Sequence, residues 1–327
     1  MDLPPDSQAV LLLCSHVGLS SELGFKPLTL SEWNSLARKL LDSSLGSPGR
    51  LFGLAAKDLK RELGLSDDEA VRLARLLSRG GGLAIELERL ESLGIWLLTR
   101  ADALYPRRWK QRLQHAAPTV LFGAGERALL GQPGLAVVGS RNVDEHGKVC
   151  ADFLGNLCAR EGLAVYSGGA RGVDEIATRA ALEARGTAVG VLARSLEEAI
   201  RAPELRPKLM RGDLALVTPY APNAGFSVGA AMGRNKLIYA LADYALVIAS
   251  EGGQGGTWAG ATEALKGGWL PVFVFDGPQV PEGNRQLLQK GALSFPDSLL
   301  AAPFALWQWL ESQASGFAPP PVQGRLL

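Results

Sequence analysis

The stretch LAVVGSRNVDEHGKVCADFLGNLCAREGLAVYSGGARGVD, residues 135–174, decides the fold of this chain. Two short apolar runs, residues 135–138 and 163–166, each end in a glycine-containing turn, and the segment between them carries apolar residues at helical spacing. Strand, helix and strand in this order form a βαβ unit, whose right-handed crossover places both strand ends at one edge. We therefore expect the turns at residues 139–141 and 167–174 to lie side by side.

The same alternation continues to residue 290. It predicts strands at residues 135–140, 163–167, 188–193, 214–218, 244–250 and 271–276. It predicts helices at residues 146–161, 173–185, 195–211 (broken), 229–242, 257–267 and 283–290. Continuous apolar strands separated by helices indicate an α/β fold with a parallel sheet covered by helices on both faces. In such a sheet the ligand binds beyond the carboxyl ends of the strands.

The residues before 135 and after 290 show other sequence patterns than this alternation. Apolar residues at three- and four-residue spacing predict a small all-α domain in residues 1–90, with helix starts at Ser31 and Ser66. Residues 94–99 and 118–123 are predicted strands that extend the sheet at one edge. The predicted division of the chain is 1–90 for the helical domain, 91–297 for the α/β domain and 298–327 for a short helix and a flexible tail.

Composition narrows the classes of function. Apolar residues make up 47% of the 327, yet no apolar run approaches the ~18 residues of a membrane span. The N-terminus, MDLPPDSQAV, lacks the pattern of a secretory signal, and Cys14, Cys150 and Cys158 lack metal-ligand spacing. We therefore expect reduced thiols and a cytoplasmic protein.

The net charge of +1 means that affinity for a polyanion must come from local clusters. One candidate is the basic run at residues 100–112, for which a solvated helix face is the alternative interpretation.

Four polar turns should meet at the carboxyl edge of the predicted sheet, namely residues 139–141, 167–174, 232–236 and 252–257. Glycines such as Gly256 let an anion approach the backbone, and helix N-termini offer unpaired N–H groups and a positive dipole end. Hydroxyl, cationic and amide groups come from Ser140, Ser167, Thr257, Arg141, Arg171, Arg234, Asn235 and Lys236. The sequence thus predicts an anion site at this edge.

Aromatic residues also fall beside these turns. We expect Tyr166, Tyr220 and Trp258 to pack in the core, whereas Phe226 lies in a loop before the helix at residue 229. A base of a single strand can stack on such a ring while cations track the backbone.

Several enzyme classes are poorly supported. The sequence has no GxxxxGK[ST] P-loop, and Gly139 is not part of a GxGxxG fingerprint. The histidines lie far apart, with no pattern for a catalytic triad or a zinc site. Asp174 opens a predicted helix, where an acid is favourable for the helix dipole alone. We expect no catalytic residue, no metal and no cofactor.

The motifs resemble those of the DNA-processing protein A family (DprA, also called Smf). The matching segments are VGSR at 138–141, SGGARGVD at 167–174, AAL at 180–182, GRNKLI at 233–238, GTWAGA at 256–261, GNRQLL at 283–288 and GA at 291–292. The resemblance covers roughly residues 94–295 in order. The helical N-terminal region resembles the family's small sterile-alpha-motif-like domain more weakly.

This resemblance implies an extended Rossmann-like domain that binds single-stranded DNA at the sheet edge. It also implies homodimerisation and loading of the RecA recombinase onto incoming strands during natural transformation. The DNA-contacting candidates carried over by position are Gly139, Ser140, Arg141, Ser167, Gly168, Gly169, Arg171, Arg234, Asn235 and Lys236.

Two departures from the family pattern stand out. Thr178 occupies a position where family members usually carry His, and the sequence ends soon after Trp309, so we expect no winged-helix domain.

Three hypotheses of function follow. The leading one is a non-enzymatic, cytoplasmic single-strand-binding protein that hands DNA to RecA, without membrane contact. The main rival is an enzyme, because residues 252–257 with Glu263 resemble the GGxGT…E loop of phosphoribohydrolases that cleave nucleoside monophosphates. Those enzymes place a Glu where Ala259 stands here, which counts against a chemistry that needs a carboxylate at the sugar carbon. A nucleotide-sensing module is the third.

Overall fold

The computed structural model describes residues 3–19, 24–301 and 304–319. The helices within these residues are α1 (Pro5–Cys14), α2 (Leu30–Asp42), α3 (Ala56–Leu63), α4 (Asp67–Leu77), α5 (Gly80–Ser92), α6 (Arg107–Leu113), α7 (Glu145–Arg160), α8 (Val173–Glu183), α9 (Leu196–Arg201), α10 (Arg206–Arg211), α11 (Val228–Leu241), α12 (Gly255–Gly267), α13 (Glu282–Gln289) and α14 (Leu306–Gln313). The strands are β1 (Ile95–Thr99), β2 (Val120–Gly125), β3 (Gly134–Val138), β4 (Ala164–Ser167), β5 (Thr187–Val191), β6 (Leu214–Thr218), β7 (Tyr244–Val247), β8 (Val272–Asp276) and β9 (Leu293–Pro296).

The nine strands form one sheet in the order β1-β2-β6-β5-β4-β3-β7-β8-β9. From β6 to β9 every neighbouring pair is parallel, and β1 and β2 extend one edge as antiparallel strands. The α/β class and the two edge strands are therefore confirmed. Because β3 lies between β4 and β7, the chain order of the strands reverses there, and such switch points are where open α/β sheets bind ligands.

Helices cover both faces of the sheet, as the continuous apolar strands predict. Along β3, Leu135 and Val137 point into the core beneath α7 and α8, while Ala136 and Val138 point into the core beneath α6, α11 and α12. This two-residue alternation follows from the geometry of a strand that is buried on both faces. It leaves the carboxyl ends of the strands as the open edge.

Several strand predictions differ from the structure. The strands predicted at residues 135–140, 188–193 and 244–250 end earlier, at Val138, Val191 and Val247, and β9 was not predicted. Beyond Val247 the buried side chain of Asn284 replaces the backbone hydrogen bonds between β7 and β8. Asn284 accepts a hydrogen bond from the backbone N–H of Ser250 at 2.8 Å and donates to the carbonyls of Ile248 and Phe275, each at 2.9 Å. On the β3 side the backbone hydrogen bonds continue, from the N–H of Ile248 to the carbonyl of Val138 and from the N–H of Ser140 to the carbonyl of Ala249.

The N-terminal region is helical, as predicted, and α4 starts at the predicted Ser66, which forms a capping box with Glu69. The start predicted at Ser31 is wrong by two residues, because Thr29 forms the cap of α2 together with Glu32. Thr29 and Ser31 both carry a hydroxyl that can cap a helix. Glu32 lies three residues after Thr29, and a capping box needs the acid at this spacing, so Thr29 is the cap.

The N-terminal helices share one continuous core with the sheet face that α7 and α8 cover. Polar contacts reinforce this packing: Ser7 donates to Asp102 at 2.7 Å, and Arg100 donates to Asn34 at 2.9 Å. The domain boundary near residue 90 stays a prediction.

Three cations of the basic run at residues 100–112 are held by internal contacts, so the solvated-helix-face interpretation is wrong for them, whereas Arg107 is exposed. The polyanion interpretation stays a prediction. Arg100 is 1% exposed. Arg108 donates to the carbonyl of Leu241 at 2.8 Å and pairs with Asp243 at 2.8 Å, and Arg112 donates to the carbonyls of Ala240 and Ala242. The last carbonyls of a helix lack intrahelical hydrogen-bond donors, and Arg108 and Arg112 supply such donors for α11.

Helix α14 forms within the segment predicted to contain a short helix, and residues 320–327 of the predicted tail lie outside the described residues. Among the helices described, none has both the length and the apolar character needed to cross a bilayer.

Gly155→Ala should destabilise the fold, because a Cβ at Gly155 would collide with the carbonyl oxygen of Ala177 and lie 2.8 Å from the Cβ of Ala180. Helices α7 and α8 would have to separate. We expect a loss of about 1–3 kcal/mol in the free energy of unfolding, measured by urea denaturation. Gly81→Ala in α5 is the matched control, since a Cβ there meets nothing within 4 Å, and it should be neutral or slightly stabilising. Equal stability of the two variants would contradict this packing.

Candidate functional site

A pocket of about 460 Å³ opens at the switch point between β3 and β7. It is lined by the turn after β3 at residues 138–142, by the start of α12 at residues 254–257 and by one side of α11. We call it the edge pocket. A second pocket of about 830 Å³, the side pocket, lies beyond it over β5 and β6. The two pockets share Arg141, Ala170, Phe226 and Arg234 at their boundary.

The structure brings nearly all the predicted site residues together. The edge pocket is lined by Gly139, Ser140, Asn235, Gly256 and Thr257. The side pocket is lined by Ser167, Gly168, Gly169 and Arg171, and the shared boundary contains Arg141, Phe226 and Arg234. Lys236 is half-buried on α11 and lines neither pocket. The role of each residue in binding stays a prediction.

The two turns lie against each other because Gly172 has no side chain. Gly172 has φ of 88°, and a Cβ there would lie 2.5 Å from the carbonyl oxygen of Ser140. A positive φ and so close an approach both require glycine. The backbone N–H of Val173 reaches the same Ser140 carbonyl at 3.4 Å.

Asp174 holds these turns together, a role that its position at a helix start did not reveal. Its carboxylate is 6% exposed and accepts a hydrogen bond from the backbone N–H of Gly168 at 2.9 Å. Burial raises the pKa of Asp174 to about 6. The nearby Arg234 guanidinium opposes this rise, as do backbone N–H groups of the turns, namely those of Gly168, Gly139 and Ala170. These N–H groups therefore interact with an internal anion, the Asp174 carboxylate.

Arg234 lies beneath the boundary between the two pockets. It is 6% exposed, and its Nη1 donates to the carbonyl of Val191 at 2.8 Å. A Cβ at Gly168 would collide with this guanidinium, so the glycine makes room for the buried cation. The Nε of Arg234 is buried without a hydrogen-bond partner among the described residues. Arg234 contributes positive potential from below the surface rather than as an exposed cation.

Helix N-termini at the edge differ in how they are capped, which corrects the expectation that each turn opens a helix ready for an anion. Helix α7 starts only at Glu145, and Asp144 caps it by accepting from Gly147 at 2.8 Å. Ser227 caps α11. Helix α12 begins without a side-chain cap, so its first-turn N–H groups beside the edge pocket have no intrahelical partner.

Arg141 and Phe226 form the exposed part of the boundary. The guanidinium of Arg141 lies 5.8 Å from the centre of the Phe226 ring, and Phe226 is 56% exposed. Tyr166 is fully buried, as expected, and donates its hydroxyl hydrogen bond to backbone carbonyls. Tyr220 and Trp258 are half-buried. Tyr166 lies in the core and Trp258 packs against it, as expected, whereas Tyr220 belongs to neither core cluster. Phe226 is exposed, and its role in stacking stays a prediction.

Acidic groups near the edge pocket are few. Among the described residues, the carboxylates that line the edge pocket are those of Asp174 and Glu251. Neither Ala259 nor Glu263 of α12 lines this pocket. Within the part of the chain that the structure describes, no group of His, Cys, Asp and Glu side chains is arranged to hold a metal ion.

The chain is similar to one protein-family model and to individual proteins with related names. The family model described as DNA recombination-mediator protein A matches residues 96–299. Protein Smf of Escherichia coli K12 is 31% identical over 181 residues, covering 54% of this chain and 48% of that protein. DNA processing protein DprA of Bacillus subtilis 168 is 27% identical over 181 residues, covering 54% of this chain and 60% of that protein. The chain spans about half the length of the curated relatives it matches.

Two solved structures share the fold. The X-ray structure of DprA from Streptococcus pneumoniae aligns with a TM-score of 0.58 at 22% identity, covering 85% of this chain and 99% of that chain. The structure of DprA from Helicobacter pylori, described for its single-stranded DNA binding mode, aligns with a TM-score of 0.54 at 23% identity, covering 68% of this chain and 97% of that chain. Both confirm the Rossmann-like architecture.

Asp174→Asn should change how stability depends on pH. The folded protein holds a proton on Asp174 below about pH 6, whereas the unfolded chain holds it only below its ordinary pKa of 3.8. The stability from this group is therefore present at low pH and lost as the pH rises through about 6. The free energy of unfolding of the wild type should rise relative to that of the variant between about pH 7 and about pH 4.

Urea denaturation of both proteins across this pH range measures the effect, and the groups that they share cancel in the difference. A difference that stays constant with pH would contradict a buried, proton-binding Asp174.

Proposed function

The chain belongs to the DNA recombination-mediator protein A family, and from this premise we propose that its edge pocket binds single-stranded DNA. Phosphates would lie over Arg141 and the uncapped start of α12, and a base would stack on Phe226. The protein would hand the strand to RecA without itself catalysing a reaction.

The observation that carries this proposal is the pairing of Arg141 with Phe226 at the boundary of the two pockets. An exposed guanidinium recognises a phosphate, and an exposed ring 5.8 Å away offers a stacking surface for the attached base. Phosphate and base of one nucleotide therefore find partners side by side. A pocket for a simple anion would need no exposed aromatic ring.

The same pair favours a single strand over a duplex. In a duplex both faces of each base are covered by its neighbours, so a ring can stack only at the cost of unstacking a base pair. In a single strand the bases are free to turn toward Phe226. The relative from Helicobacter pylori, described for its single-stranded DNA binding mode, supports the same ligand.

We further propose RecA as the partner, a homodimer as the assembly and the cytoplasm as the compartment. Membership of the family supports the first two. The three cysteines are free thiols, which suits a reducing compartment.

The rival enzyme is tested by incubating the protein with nucleoside monophosphates and measuring free base. We expect none above a protein-free control, because α12 brings no carboxylate to the edge pocket. Release of base that Glu251→Gln abolishes would instead assign hydrolysis to the pocket.

Arg141→Ala should weaken binding to all single-stranded sequences alike. We expect roughly a tenfold loss of affinity at low salt, since one charged hydrogen-bonding contact to phosphate disappears. The slope of log K against log salt should fall by about 0.7 to 1. Fluorescence anisotropy of a labelled oligothymidylate across a salt series measures both quantities.

Lys266→Ala is the matched control, because Lys266 is an exposed cation at the opposite end of α12 from the edge pocket. It should leave affinity and slope unchanged. An Arg141→Ala protein that keeps the wild-type slope would remove Arg141 from the phosphate path.

Phe226→Ala should weaken binding without changing the salt slope, because a ring and no charge is lost. Base–aromatic stacking contributes about 1–3 kcal/mol per base, so we expect an affinity loss of about fivefold to 150-fold. Phe226→Tyr keeps the ring and should bind as the wild type does. The same anisotropy titration distinguishes them, and a Phe226→Ala protein with undiminished affinity would exclude stacking.

A further inference from the structure

The loop between β6 and α11, residues 219–227, carries Phe226 at an exposed position. Pro222 of the same loop is buried, and its carbonyl oxygen accepts two hydrogen bonds. The backbone N–H of Glu197 donates one at 3.0 Å, and the hydroxyl of Ser195 donates the other at 3.2 Å. The loop is therefore anchored at Pro222, shortly before the exposed ring.

Helix α9 supplies both donors from its N-terminal end. Ser195 is the N-cap of α9, and its hydroxyl also accepts from the backbone N–H of Glu198 at 3.2 Å. Glu197 lies in the first turn, whose N–H groups have no intrahelical partner, so the Pro222 carbonyl satisfies one of them. Helix α9 packs on the sheet face that α7 and α8 cover, whereas α11 packs on the other face. The anchor thus ties the loop to the face opposite α11.

The side chain of Glu197 contacts a different part of the chain. Its carboxylate accepts a hydrogen bond from the guanidinium of Arg89 in α5 at 2.8 Å. Arg89 also pairs with Glu86 of its own helix at 2.8 Å, so its guanidinium is held by two carboxylates. The Glu197 side chain is 13% exposed, and water screens such a pair less than one on an open surface. One residue therefore joins α5 to the anchor of the loop.

Two further contacts of the loop are local. The hydroxyl of Tyr220 donates to the carbonyl of Ala230 at 2.8 Å, and Ser227 caps α11. Both contacts join the loop to the helix that follows it, and neither involves α5 or α9. A shift of α9 would therefore move Pro222 and, through the short segment after it, Phe226.

We propose that Arg89 is a positioning residue for Phe226. Its ion pair with Glu197 holds the first turn of α9, and this turn holds Pro222, so the ring stays beside Arg141 before DNA arrives. A loop that is ordered before binding costs less conformational entropy on association. The helices before β1 thereby assist binding without contacting the strand. This inference rests on the proposed function, because the position of the ring matters only if a base stacks on it.

Arg89→Ala tests this role. The variant should bind a labelled oligothymidylate about two- to fivefold more weakly than the wild type at low salt, as expected for loss of one partly exposed ion pair. Arg89→Lys keeps the charge and should recover most of the affinity. Arg61→Ala is the matched control, because the ion pairs of Arg61 lie within α3, and it should bind as the wild type does. Fluorescence anisotropy measures all four proteins.

The same titrations in a Phe226→Ala background separate positioning from a general loss of structure. Arg89→Ala should lower the affinity when the ring is present and have no effect when the ring is absent, because no ring remains to be positioned. A double-mutant cycle measures this coupling. Loss of structure elsewhere would lower the affinity by the same factor in both backgrounds.

Hydrogen exchange of the protein without DNA follows the anchor itself. The backbone N–H of Glu197 donates to Pro222, so its exchange should accelerate about two- to fivefold in Arg89→Ala. The rate should stay unchanged in Arg61→Ala. NMR detects the exchange of this single amide.

The outcomes separate this inference from the proposed function. Equal losses in the two backgrounds, an Arg89→Ala protein with wild-type affinity, or an unchanged exchange rate at Glu197 would overturn the role of Arg89 alone. Undiminished affinity of Phe226→Ala would overturn stacking on the ring and the role of Arg89 together. A wild type that binds no single strand at low salt would overturn the proposed function and this inference with it.

Discussion

The buried carboxylate of Asp174 is the contact on which the edge of this sheet depends. It accepts the backbone N–H of Gly168 and lies beside Arg234 of α11, so one side chain connects the turn after β4 with a helix on the other face of the sheet. Burying a charge is unfavourable unless it is paired and hydrogen-bonded. Here the turns and the nearby arginine offset this cost in part, and burial still raises the pKa of Asp174. The glycines leave space for these contacts, and the two pockets form on either side of them.

Helix α11 is held at its middle and at its C-terminal end. One side of it lines the edge pocket, where the amide of Asn235 donates to the carbonyl of Gly256 at 3.0 Å and ties α11 to the start of α12. Its last carbonyls are bound by Arg108 and Arg112 of α6. Helix α6, which lies in the chain between the antiparallel strands β1 and β2, thus binds the C-terminal end of α11, and α11 forms a wall of the edge pocket. Arg108 and Arg112 of the basic run therefore stabilise the site through α11.

The sequence predicted the parts of the fold that depend on periodicity. The βαβ alternation located every parallel strand except β9, whose residues 293–296 form too short a run to stand out. Periodicity failed where a buried side chain replaces the backbone ladder, as Asn284 does beyond β7. Spacing along strand ends also predicted that the turns at residues 139–141 and 167–174 would meet, but residues 232–236, predicted as a turn, lie within α11. It did not predict whether each cation would be exposed. Arg234 is buried because Gly168 leaves room for it, and that depends on a contact between two distant parts of the chain.

The central claim is that this edge binds a flexible sugar-phosphate chain with accessible bases. The most direct measurement is a mobility shift of the unmodified protein with single-stranded and duplex DNA of one sequence across a salt series. The account predicts that the single strand binds more tightly than the duplex at every salt concentration, with log K falling linearly with log salt. Duplex binding of equal or greater strength, or single-strand binding that is insensitive to salt, would contradict it.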